Sequence, residues 1–184
     1  GPDHKQKELN MLKALGLMIT VSTSITAMAD PCPVKYLESN EYTDIECQFY
    51  LGTNAYRNKV YSVAAAHWQY VQSAPIKYDT DEDIQAMALS TLNFLIYQGL
   101  GVEQDRHQAV LNWQAAVRRR EFEARRHLGF AFGDEQYKHA DQIKALGWLE
   151  SIFILYPSSD GFSETDNNIY QDAKANAQQL RSNM

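Results

Sequence analysis

The side chains able to do chemistry are few and widely spaced. Five histidines, His4, His67, His107, His127 and His139, carry the imidazoles that general base catalysis or zinc binding would use. None has another His three or four residues away, the spacing that sets two ring nitrogens on one helical face. Each is therefore expected to be a helical surface residue. Asp79, Asp81 and Asp83 alternate as the oxygen ligands of a calcium loop do, but Ile84 stands where that loop needs Gly, and Ser90 where it needs the bidentate Glu. The same acids suit the first turn of a helix capped by Thr80, where carboxylates meet the positive end of the helix dipole. Gly99-Leu100-Gly101 has the glycines of a phosphate cradle, yet it joins one helical pattern to the next and reads as a turn. No nucleophile elbow, Walker loop, H-E-x-x-H or dinucleotide fingerprint is present. The expectation is a chain with no catalytic residue, metal or cofactor, and not an enzyme.

Two other groups of side chains bear on partners and address. Arg118, Arg119 and Arg120 with Arg125 and Arg126 concentrate positive charge. They have two readings: offsetting the negative end of a helix, with Glu121 and Glu123 as balance, or docking an anionic peptide or head group. The net charge of −6 over 184 residues disfavours nucleic acid as a partner. Cys32 and Cys47 are the two cysteines of the chain. They come after a segment with the order of a secretory signal peptide: Lys13, then the apolar run from Ala14 to Val21, then Ala27-Met28-Ala29 before Asp30. That reading makes residues 1–10 a polar leader and 11–29 the signal peptide. It places the mature chain in the periplasm or outside the cell, with no membrane span left in it. Two cysteines in an oxidising compartment are expected to pair. An ordinary N-terminal helix in a cytosolic protein, with two buried thiols, is the alternative.

The elements that would position these groups are helical. Between positions 88 and 97 apolar residues recur every three or four places. The Gly99-Leu100-Gly101-Val102 turn ends that pattern, Asp105 is placed to cap a second helix, and Ala109, Trp113 and Ala116 mark the inner face of that helix. Two further versions flank this hairpin. The first runs through Cys47, Leu51-Gly52 and Ala55, turns at 57–59 and returns through Ala64, Ala65 and Trp68. The other starts at Ala124 and shows Leu128-Gly129, Phe132-Gly133, Ala145 and Trp148. Its Leu-to-Trp interval is one residue short of the central one. Trp68, Trp113 and Trp148 share one repeat position and are expected to be wedges between helices. A loop at 157–161 precedes a last helix, starting at Thr165-Asp166 and reaching about Arg181, with Tyr170, Ala173, Ala177 and Leu180 on one face.

On these residues the chain resembles the Sel1-like repeat family, relatives of the tetratricopeptide repeat, over roughly 46–155. Asn93 departs from the family's Leu-Gly pair. The resemblance implies an all-α fold: an α-solenoid of about three helical hairpins, with residues 30–45 as an N-terminal cap segment and 156–184 as a loop and capping helix. It also implies a concave face lined by the first helix of each hairpin. Beside the packing stripe on that face lie Tyr50, Asn54, Thr91, Phe94, His127 and Phe130, the expected protein contacts. Phe94 and Phe130 stand at one offset, two residues after Leu92 and Leu128. The function implied is an exported scaffold or adaptor that binds another protein, an envelope component, in the bacterial envelope. Two other classes stay open: an accessory or immunity-like inhibitor of one secreted enzyme, and an enzyme acting on cell-wall material. The latter would need convergent carboxylates or a His–nucleophile pair.

Overall fold

Helix-forming signals, and side-chain caps at three of the helices, shape the computed structural model, which describes residues 32–33, 44–117 and 122–184. Residues 1–10 and 11–29, expected to be a leader and a signal peptide, most of the segment 30–45, and Arg118, Arg119 and Arg120 lie outside the described residues. Within them the chain is all-α, with no strand. The helices are α1 Asp44–Arg57, α2 Tyr61–Ser73, α3 Asp79–Gln98, α4 Arg106–Val117, α5 Phe122–Gly133, α6 Gln142–Leu155 and α7 Glu164–Ser182. Asp105 caps α4 by accepting from the Gln108 N–H at 2.9 Å. Asp141 does the same for α6 from Lys144, and Ser163 for α7 from Asp166. The start of α3 differs from expectation. It lies at Asp79 instead of after a Thr80 cap, and Asp81, buried, accepts the Lys77 and Tyr78 N–H groups at 2.9 and 3.0 Å.

Each helix packs on its chain neighbours, and α1, α3, α5 and α7 also pack on one another in turn. Two indoles key this arrangement. Trp68 on α2 donates its ring N–H to the Phe49 carbonyl of α1 at 3.2 Å, and Trp113 on α4 donates to the Ser90 carbonyl of α3 at 3.1 Å. Each acceptor lies two residues before the leucine of its hairpin, Leu51 or Leu92. Gly52 makes room for the first indole, since a Cβ there would stand 2.6 Å from the ring nitrogen. Asn93, in the corresponding place, is fully buried. Its carboxamide turns aside to donate to the Leu89 carbonyl at 2.7 Å and to accept from Asn112 of α4 at 2.8 Å. The helices can therefore close without a glycine.

The third hairpin departs from the expected register. Trp148 is only half-buried, while Leu149 is 2% exposed and a Cβ on Gly129 would collide with its side chain. Carrying the central Leu-to-Trp interval from Leu128 lands on Leu149, so the interval is kept and the tryptophan lies one place outside it. Gly101 holds φ at 68°, and a Cβ on it would overlap the backbone of Tyr61 and Ser62. The central turn is thus pressed against the start of α2. The apolar side chains gather into three clusters, centred on Trp68 with Leu95, on Trp113 with Leu128, and on Leu149 with Tyr170. Phe94 and Ile96 join the first two, and Leu180 the last two.

Cys32 and Cys47 form a disulfide across 15 residues, tying the preceding segment to the first turns of α1. In the chain-entropy account a loop of that size stabilises by about 3 kcal/mol. Among the described residues no helix is long and apolar enough to cross a membrane. The two tryptophan environments separate in a urea melt. Trp113→Ala removes a fully buried wedge and its hydrogen bond and should cost about 3–5 kcal/mol. Trp148→Ala should cost no more than about 1–2 kcal/mol, and equal losses would show that the third hairpin keeps Trp148 as its wedge.

Candidate functional site

The expected contact residues do not share one environment. Tyr50 on α1 and Phe130 on α5 are 55% and 44% exposed, and Asn54 is exposed as well. Thr91 is half-buried, its hydroxyl spent on the Met87 carbonyl at 3.0 Å. Phe94 is half-buried too, edge-on to Tyr56 and tilted over His127 at 5.8 Å. His127 is not a surface residue: it is buried, with its ring parallel to that of Trp113 at 4.8 Å. His67 corrects the same expectation, buried with Nδ1 2.6 Å from Gln48 Oε1. The reason is the width of the buried arc. Helices α2 and α5 are enclosed by more than one neighbour, so runs such as Ala64 to Trp68 and His127 to Gly129 are buried without a break. A single amphipathic stripe underestimates such helices.

His127 belongs to a charged cluster. Its Nε2 lies 3.3 Å from Glu123 Oε1, without the alignment of a good hydrogen bond, and Arg126 Nη2 reaches the same oxygen at 3.0 Å. Burial disfavours the imidazolium and holds the His127 pKa below its ordinary value, against the pull of Glu123. Burial pulls Glu123 upward, but His127 and Arg126 outweigh it and keep the carboxyl below the usual range. Arg125 donates to Ser151 Oγ at 2.8 Å and lies over the Trp148 ring. Arg125 and Arg126 are therefore each engaged within the chain while staying half-exposed; Arg118, Arg119 and Arg120 lie outside the described residues.

These groups set an acid limit on stability. Below pH 6.5, the ordinary value for His, the unfolded chain takes up a proton that buried His127 resists, so stability falls as pH falls. Glu123 works in the same sense lower down: its contribution is complete above its ordinary value of 4.5 and is lost as pH falls further. The urea midpoint should drop between pH 7 and pH 5, and His127→Gln should flatten that part of the profile. An unchanged slope in the variant would assign the drop elsewhere.

A second site lies where α3, α5 and α7 meet. Tyr97, fully buried, donates its hydroxyl to Asp134 Oδ2 at 2.8 Å, and burial, then that carboxylate, push the phenol far above its usual range. Arg106 lies over the Tyr97 ring and donates to Gln136 Oε1 at 2.8 Å. Beside this network opens a cavity of about 530 Å³, lined by Phe130 together with the end of α3 and the last turns of α7. Six carboxamides line it: Gln98, Gln136, Gln142, Asn176, Gln179 and Asn183. Sequence reasoning treated α7 only as a cap and missed its share of this wall; the signal available was the run of Asn and Gln along its exposed face. The residues of the Tyr97 network come from three separate elements, and no local spacing announces them. Among the described residues no group of three or more His, Cys, Asp or Glu side chains is placed to hold a metal. Set against protein-family models, curated proteins and solved structures, the chain finds no match.

Proposed function

We propose that this chain is an exported helical-repeat scaffold of Sel1-like type that binds another protein of the bacterial envelope. The observation that carries the reading is the pairing of helices. The odd-numbered helices pack side by side, whereas the even-numbered ones pack chiefly on their chain neighbours. Unequal spacing of this kind bends a stack of hairpins and turns the odd-numbered helices to the inside of the curve. The matched Trp68 and Trp113 hydrogen bonds support two equivalent hairpins, Leu149 a third in altered register, and α7 the capping helix. The disulfide between Cys32 and Cys47 supports an oxidising compartment.

On the odd-numbered face the expected contact surface shrinks. Tyr50 and Asn54, one turn apart on α1, remain exposed and form the start of a partner-binding strip. Phe94 and His127 are instead packed inside, Phe94 against Tyr56 and His127 against Trp113. Immobilised full chain incubated with envelope extract should retain a discrete protein. The double variant Tyr50→Ser with Asn54→Ala should lose that protein while keeping its melting midpoint. Retention by the variant equal to that of the parent, or no discrete protein retained by the parent, would overturn the reading. Phe94→Ser should instead lower stability by about 2–4 kcal/mol, as a packed aromatic does.

A further inference from the structure

We infer that the cavity between α3, α5 and α7 is a binding site for a neutral oligosaccharide of two or three rings. It goes beyond the scaffold reading, because it uses other residues further along the same face. The lining decides the chemistry. Carboxamides dominate it, and those of Gln98, Asn176, Gln179 and Asn183 make no hydrogen bond to any of the described residues. A carboxamide presents a donor and an acceptor side by side in one plane, which matches two adjacent hydroxyls of a sugar ring. Four such groups, at the end of α3, on α7 and just past it, could pair with several hydroxyls without rearranging the fold.

Phe130 supplies the other half of sugar recognition. Its ring is nearly half exposed in the cavity and leans on buried Tyr97 at 65°, so its tilt is held from behind. A fixed aromatic plane beside hydrogen-bonding groups accepts the C–H face of a pyranose while its hydroxyls reach the amides. Charge disfavours other ligands. The charged residues of the lining are Arg106, Asp134 and Glu135, one cation against two carboxylates, a negative excess that repels a polyanion. A protein segment would want apolar pockets for its side chains. Apart from Phe130, however, the apolar side chains here are Leu149, which is buried, and Leu180, which is committed to the core. The volume, about 530 Å³, lies within the range of small-ligand sites.

The test is calorimetric titration of the full chain with maltotriose, cellotriose and the trimer of N-acetylglucosamine. At least one should bind saturably, with Kd of roughly 1 mM or below. Asn176→Ala with Gln179→Ala, both exposed on α7, should weaken it about tenfold with an unchanged melting midpoint. Phe130→Ala should weaken it at least as much. Three results would overturn the inference: no saturable binding of any trimer; binding that the α7 double variant leaves intact; or a neutral Gly-Ser hexapeptide held through Asn176 and Gln179 when no sugar is. None of these depends on Tyr50 or Asn54, so failure here and failure of the scaffold reading are told apart.

Discussion

The structure depends on an indole driven between two helices and tethered there by its own N–H. Trp113 is fully buried, and so large a ring can be buried at low cost only if its polar atom finds an acceptor. The Ser90 carbonyl supplies one, although it already belongs to a helix, because a carbonyl has a second lone pair. The bond sets how far α4 reaches along α3. That position then determines the stacking of His127 on the indole face and the approach of α5. Trp68 repeats the device one hairpin earlier.

The surroundings of the wedges are polar chemistry put to structural use. Gln48 with His67, Asn93 with Asn112, and Glu123 with His127 and Arg126 all place polar side chains at or near helix contacts. A buried polar group is costly unless satisfied, so the Gln48–His67 and Asn93–Asn112 pairs, which join different helices, penalise any register other than the one that pairs them. Alanines and glycines set the distance between helices, and these two pairs set the sliding position. The acid sensitivity of the His127 cluster, which lies within α5, follows from its burial.

The face formed by α1, α3, α5 and α7 changes character along its length. Near α1 it presents tyrosines, suited to a protein surface, whereas near α7 it presents carboxamides around one phenylalanine. Between them Phe94 is drawn inward, closed over by Tyr56 and His127.

The helices themselves were legible in the sequence. Apolar spacing, Asp105 at a cap and the Pro157 loop placed the elements to within a few residues, because these are local effects of backbone geometry and hydrogen bonding. The cysteine pair was legible too, since two thiols close in sequence have few other partners. Burial was read less well. His67 and His127 look like surface residues on a helical wheel and become core only when a third helix covers their side. Trp148 yielded the wedge position to Leu149 because the interval, not the residue type, fixes which side chain meets the neighbouring helix. The carboxamide cavity was beyond local reading altogether. Gln98 and Asn176 are far apart along the chain, and only the return of α7 onto α5 brings their amides to one opening.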